Sequence, residues 1–238
     1  MGSATSRLIL ALLALAGPAV AGDASLPRFS AQTPGQPIAG WQVLKPAPKA
    51  PDTRYTLVDE GGAVVIQAEA VASMSGLVRA LQPPAAGPSR LQWRWRIERP
   101  LANADMTQKA GDDYAARVYV LFDYPRERLP WATRAKLALA EALYGQPVPT
   151  AALNYVWDNR QPVGTIKPNA YTERVRMVVL ESGTAKAGQW VSESRDLNAD
   201  FRAAFGEDAP PVSGVAIATD TDNTGETARA WFGDLELR

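Results

Sequence analysis

Residues 91–98 alternate: Leu91, Trp93, Trp95 and Ile97 fall on one side of an extended chain, and Gln92, Arg94, Arg96 and Glu98 fall on the other. Successive side chains of a strand point to opposite faces, so the segment predicts a strand with one buried and one wet side. Trp93 and Trp95 are expected to serve packing. Shorter segments of the same kind recur between turn residues. The predicted strands are 55–59, 63–70, 76–81, 91–98, 113–123, 153–157, 173–181, 189–197, 212–220 and 228–237, with a first strand near Trp41. Many short strands at this spacing predict an all-β fold, an antiparallel β-sandwich of jelly-roll or concanavalin-like type.

Two short helices interrupt the pattern. Pro130 suits a first helical turn, 131–144 is rich in Ala, Leu, Lys and Glu, and Gly145 supplies a stop. Asn198 is the expected cap of a shorter helix that carries Phe201 and Phe205 four apart and ends at Gly206. No internal repeat and no composition shift marks a second domain.

The N-terminal pattern is of another kind. Arg7 is the only charge before Asp23, 8–16 is an apolar run too short to span a bilayer, and Ala19-Val20-Ala21 offers the small-x-small site of a signal peptidase. The expected organisation is a signal peptide at 1–21 cleaved near Ala21, an extended arm at 22–40, and one β-sandwich domain at 41–238. The expected location is periplasmic or secreted. No cysteine follows the apolar run, so a lipid anchor on cysteine is excluded, and no later stretch is long and apolar enough for a membrane helix.

Composition narrows the chemistry. The chain has no histidine and no cysteine. That excludes Ser-His-Asp and Cys-His nucleophile systems, thiolate chemistry, disulfides and iron–sulfur ligation. Carboxylates, tyrosines, lysines, arginines and oxygen-ligated hard cations remain. With 25 basic and 25 acidic residues, the near-neutral balance argues against nucleic acid or an anionic membrane as the main partner, while leaving room for a local basic patch.

Three segments carry polar residues that do not suit a plain core. In 113–123, Tyr114, Ala116, Val118, Val120 and Phe122 would form one apolar face, and the other would mix Asp113, Ala115, Arg117, Tyr119, Leu121 and Asp123. Asp112 and Asp113 stand side by side at its start and repel unless a cation or donor lies between them. This stripe is either part of a ligand groove or an ion pair on a wet sheet face. In 153–160, Asn154 and Trp157 would point to opposite faces and Asp158-Asn159 would turn. Amides, carboxylates and indoles suit sugar hydroxyls and rings, and they also suit hairpins. In 220–226, Asp220, Asp222, Thr224 and Gly225 match the first half of a calcium loop, but Trp231 stands where the twelfth-position glutamate would be. A calcium site of another geometry would use Asp220, Asp222 and Glu226. The bland alternative is a polar hairpin tip. Asp112, Asp113, Arg117, Tyr119, Asn154, Trp157, Asp220, Asp222 and Asn223 are the candidate ligand-binding set.

The blocks 112–119, 153–157, 181–183, 218–223 and 231–234 resemble a bacterial family of exported proteins catalogued as domain of unknown function 3047. The resemblance covers about residue 40 to the C-terminus, and it implies no mechanism and no residue roles. The aromatic final strand with Gly233-Asp234-Leu235 also resembles, at fold level only, the last strand of jelly-roll carbohydrate-binding modules. The expected partner is a glycan or cell-envelope polysaccharide held without catalysis. One alternative is a carboxylate-based hydrolase using Asp113 with Asp220 or Asp222, or a lyase using Tyr119 with Arg117. Another is an envelope protein-interaction module.

Overall fold

The computed structural model describes residues 25–45, 49–85, 90–144 and 150–238. Thirteen strands are described: β1 (Gln42–Leu44), β2 (Arg54–Asp59), β3 (Val64–Val71), β4 (Met74–Ala85), β5 (Arg90–Ile97), β6 (Arg117–Phe122), β7 (Ala151–Asp158), β8 (Ile166–Asn169), β9 (Thr172–Ser182), β10 (Val191–Asp196), β11 (Val212–Asp220), β12 (Thr227–Phe232) and β13 (Glu236–Leu237). They form a seven-stranded sheet in the order β1-β4-β11-β6-β7-β9-β8 and a six-stranded sheet in the order β10-β5-β12-β3-β2, with β13 also paired to β5. The sheets face each other as a β-sandwich of the jelly-roll kind. Helix α1 (Trp131–Tyr144) lies in the connection between β6 and β7, and α2 (Leu197–Phe205) follows β10.

Alternation decides what lies between the sheets. Trp93 and Trp95 of β5 are buried there against Tyr155 and Trp157 of β7, with Trp93 5.3 Å from Tyr155 and Trp95 5.9 Å from Trp157 between ring centroids. Val118, Val120 and Phe122 of β6, and Val215 and Ile217 of β11, join the same core. A second apolar cluster covers the opposite, outer side of the seven-stranded sheet: Tyr119, Leu121, Ala152, Val156, Met177, Ala216 and Ala218, with Met106 and Tyr114 from the long connection that precedes β6. Strands β6 and β7 are therefore buried on both faces.

Several expectations are corrected. The sheet is not wholly antiparallel, because β7 pairs with β9 in parallel. The chain leaves β7, forms edge strand β8, turns back as β9 and inserts between them. Pro168 concealed β8 in the sequence, yet an edge strand is where proline is tolerated. The strand expected over 113–123 starts only at Arg117, since 112–116 is tied instead to the 220–224 segment, and Tyr114 joins the outer cluster rather than the Val118 face. The strand expected over 228–237 is split at Gly233-Asp234-Leu235. There the Asp234 carboxylate accepts the Ser30 N–H at 2.9 Å. That bond belongs to a broader correction. Residues 25–40 are no extended arm but a run of turns anchored by buried Leu26 and Phe29, with the Phe29 ring 5.1 Å from Trp41. The cap of α2 is Asp196, not Asn198. Its carboxylate accepts the Ala199 N–H at 2.9 Å, and Gly206 ends the helix at φ 78°, a conformation glycine adopts without strain. The signal segment 1–21 and the Gly145 stop lie outside the described residues.

Candidate ligand-binding site

Sheet pairing draws the 112–119 and 218–224 segments together, because β6 and β11 are neighbours with Arg117 opposite Ala218. Arg117 is 2% exposed and makes five hydrogen bonds. Its Nε donates to Asp220 Oδ1 at 2.7 Å, Nη1 donates to Asp112 Oδ1 at 3.3 Å and to the Tyr119 hydroxyl at 3.1 Å, and Nη2 donates to Asp220 Oδ2 and to the Asp112 carbonyl. The Tyr114 ring lies 4.5 Å from the guanidinium carbon. A guanidinium has five N–H groups in a fixed fork, so Arg117 has none to spare.

The neighbouring acids are bound in turn. Asp112 Oδ2 accepts from Asn169 Nδ2 at 2.9 Å. Asp113 accepts the Asn223 N–H at 3.0 Å, Asn223 Nδ2 at 3.0 Å and the Thr224 N–H at 2.6 Å, which fixes the turn after β11. Asp220 Oδ1 also accepts the Tyr114 N–H at 3.3 Å. Burial pushes the Asp112 and Asp220 carboxyls up from the usual carboxylate range while Arg117 pulls each back. Burial works against the Arg117 charge, but Asp220, Tyr119 and Asp112 more than reverse that, and the guanidinium is held charged. Asp222 is half-buried, and burial followed by the Asp113 charge raises it to about 6.

Asp113, Asp220 and Asp222 each bring one carboxylate oxygen within 4.8 Å of the others, an arrangement that could offer oxygens to a hard cation. Most of the lone pairs on Asp113 and Asp220 are already taken by N–H groups, and Asp222 keeps the freer carboxylate. Glu226, expected to be the third ligand, is engaged elsewhere: its carboxylate accepts the Ala102 and Asn103 N–H groups at 3.0 and 2.8 Å. Asp113 stands in the group instead, because the turn at 222–225 carries Glu226 away toward the 101–104 loop.

Of the nine candidate residues, Asp112, Asp113, Arg117, Tyr119, Asp220, Asp222 and Asn223 come together. Asn154 lies beside them on the outer side of the seven-stranded sheet, opposite Tyr119, with Nδ2 3.2 Å from Met177 Sδ and with Oδ1 unpaired. Trp157 does not join them. It faces the inter-sheet core, and its Nε1 donates to the Gly183 carbonyl at 3.1 Å. Seven of the nine are buried, and only Asp222 and Asn223 are partly open to solvent.

A different region is open. On the outer side of the six-stranded sheet, Arg96 lies between two indoles, 5.2 Å from the Trp190 ring and 4.0 Å from the Trp231 ring, and Arg94 lies 4.6 Å from Trp190. Gly233 pairs its N–H with the Arg94 carbonyl at 2.9 Å, and a Cβ there would come within 2.6 Å of Arg94 Cγ. The absent side chain is what lets Arg94 lie across the strand. Beside it runs a groove of about 420 Å³ lined by Ser30, Gln92, Arg94, Ser192, Asp234 and Glu236. At its margin Glu193 accepts from Trp95 Nε1 at 3.2 Å, and burial followed by the Glu181 charge raises its carboxyl to about 7.

Residues 39–236 match the family described as Protein of unknown function (DUF3047). The chain belongs to that family. No curated protein matches it. Among solved structures, it is similar to a family 12 xyloglucanase from Bacillus licheniformis in complex with ligand, at 12% identity over 90% of this chain and 99% of that chain, with a TM-score of 0.45. It is similar to the xyloglucanase domain of NopAA, a type three effector from Sinorhizobium fredii, in complex with cellobiose, at 10% identity over 85% of this chain and 95% of that one, with a TM-score of 0.41. A third likeness is to the K3 cleaved adhesin domain of Lys-gingipain from Porphyromonas gingivalis, at 10% identity over 90% and 99%, with a TM-score of 0.40. Overlaps this loose carry no argument about activity.

Two polar regions thus stand out among the described residues of this DUF3047 chain, and the sequence pattern singled out only the first. The second was visible as the wet face of 91–98, but arginines on a wet face look like ordinary solvation. The missing signal was tertiary: Trp190, Trp231 and Gly233 meet that face only after β10 and β12 flank β5.

Proposed function

We propose that this protein is an exported, non-catalytic glycan-binding β-sandwich that acts in the periplasm or outside the cell. The observation that carries the reading is the open groove on the outer side of the six-stranded sheet. Amide, hydroxyl, carboxylate and guanidinium groups of Gln92, Ser192, Glu236 and Arg94 converge there, with the Trp190 ring against Arg94 and the Trp231 ring farther along the strand against Arg96. Sugars are recognised by such planar hydrogen-bonding groups next to apolar ring surface. Export is supported by the N-terminal pattern.

In this reading the Asp112, Asp113, Arg117 and Asp220 group is a scaffold that locks the ends of β6 and β11, with Asp222 and Asn223 at its rim. A hydrolase at that group is disfavoured for want of access. Its carboxylates are close enough, but Asp113 and Asp220 are fully buried and already bonded. The test is a panel of soluble and insoluble polysaccharides, read by glycan array and isothermal titration calorimetry on the chain without residues 1–21. Binding without release of reducing ends supports the proposal. Absence of binding across the whole panel overturns it.

A further inference from the structure

Strand β5 sends Arg90, Gln92, Arg94 and Arg96 to one side, at about 6.7 Å per alternate residue. Their charges are unevenly answered. Arg96 pairs with Glu60 at 2.9 Å. Arg90 donates to the neutral Ser194 hydroxyl at 3.1 Å. Arg94 is held by the Trp190 ring and has no carboxylate partner among the described residues. Of the acids at the groove, Glu236 is paired with two cations, Arg28 at 3.0 Å and Arg238 at 2.5 Å, Asp234 is bonded by the neutral Ser30 and keeps its charge, and Glu193 stands at the margin. Four guanidinium groups, of Arg28, Arg90, Arg94 and Arg238, thus stand against the carboxyls of Glu193, Asp234 and Glu236, and Arg94 is the lining cation without an ion pair among the described residues.

A guanidinium stacked on an indole keeps its plane fixed and its N–H edge free, which suits two-point binding of a carboxylate. Gln92, Ser192 and Ser194 lie next to it for neutral hydroxyl partners: Ser192 is opposite Arg94 and Ser194 is opposite Gln92. We propose that the groove selects an acidic glycan, one whose sugar units carry carboxylates, with Arg94 as the residue that determines specificity and Arg90 extending the contact along the strand. This rests on the glycan-binding reading above. The near-neutral charge of the chain as a whole favours a spaced polyuronate over the dense charge of nucleic acid.

The experiment compares three probes on the chain without residues 1–21: oligogalacturonate, its fully methyl-esterified form with the same backbone and no charge, and single-stranded DNA. Binding is measured by isothermal titration at two salt concentrations. Variants are R94Q, R94K and R90Q, with R202Q on α2 as a distant control, each checked for an unchanged urea midpoint. The expected result is tighter binding of the free acid than of the ester. Loss of about tenfold is expected for R94Q, with a smaller loss for R90Q, partial retention in R94K and no change in R202Q. Equal binding of acid and ester, or unchanged acid binding by R94Q, overturns the acidic preference and leaves the glycan reading standing. DNA bound as tightly as the acid, with the same salt dependence, also overturns it in favour of a general polyanion surface. Binding of neither sugar overturns the acidic preference, and the polysaccharide panel above then decides the glycan reading separately.

Discussion

Arg117 and Arg94 stand on the outer sides of the two sheets, each beside an aromatic ring, and their surroundings differ in almost every other respect. Arg117 is covered, and two carboxylates, a carbonyl and a tyrosine hydroxyl account for its N–H groups. Arg94 is partly open, stacked on Trp190, and has no acid to answer it among the described residues. A buried guanidinium survives only with partners for its charge and its donors. An open one is solvated by water and needs none, so its charge stays available to a ligand. The same residue type thus fixes two strand ends in one region and offers a recognition group in the other.

The sharpest test of this contrast is stability. Asp220→Ala leaves Arg117 buried with its main partner gone, and the expected cost is about 3–5 kcal/mol, read as a lowered urea midpoint at constant m-value. A cost below about 1 kcal/mol would mean that water reaches Arg117 and that the covered region is not closed. Trp231→Ala removes the platform under Arg96 in the open region. The half-buried ring and its cation–π contact set an expected cost of about 1–2 kcal/mol. If Trp231→Ala proves the more damaging of the two, the roles assigned to the two sheets are reversed.

Much of this fold was legible because period-two alternation directly reports the two faces of a strand. Leu91, Trp93, Trp95 and Ile97 read as core and are core. Where a strand is buried on both faces the signal fails. Arg117, Tyr119 and Leu121 looked half-wet because nothing local shows that Met106 and Tyr114 fold over them. The juxtaposition of Asp112, Asp113 and Arg117 with Asp220 and Asp222 was expected from their odd polarity and is present. Its closure was not expected, because burial of a charge depends on partners about a hundred residues away. Glu226 shows the same limit: its place in the 220–226 string suggested a ligand, and its partners at Ala102 and Asn103 lie in another loop.

A smaller effect concerns pH. Asp222 titrates near 6 in the folded protein against 3.8 for an ordinary aspartate, so the native state binds its proton more tightly than the unfolded chain does. The stability from this group is fully present below about pH 4 and is lost as pH rises through 6. Because Asp222 is only partly buried, the effect is discounted to about 1 kcal/mol. Asp222→Asn is expected to flatten the stability profile between pH 4 and 7 and to be more stable than the parent at pH 8. Calcium and then a chelator supply the contrasting measurement. A calcium-dependent rise in Tm that vanishes in Asp222→Asn would make a cation, not a proton, the group that balances Asp113, Asp220 and Asp222.

The least disruptive change is Gly233→Ala. The backbone there is not in the left-handed region, so alanine brings no backbone strain, and the atoms nearest its methyl are Arg94 Cγ, Nε and Cδ, the first at 2.6 Å. Cγ is the near end of the side chain and moves only if Arg94 changes its χ1 rotamer, so the expected stability cost is about 1 kcal/mol. That change takes the guanidinium off Trp190 and out of the groove. Gly233→Ala should therefore reproduce the acidic-glycan defect of R94Q while lowering the thermal midpoint by only about 2–4 °C, measured by calorimetry on the same sample. Full retention of binding would show that the stacked position of Arg94 is irrelevant to recognition, and the open region would then differ from the covered one only in being wet.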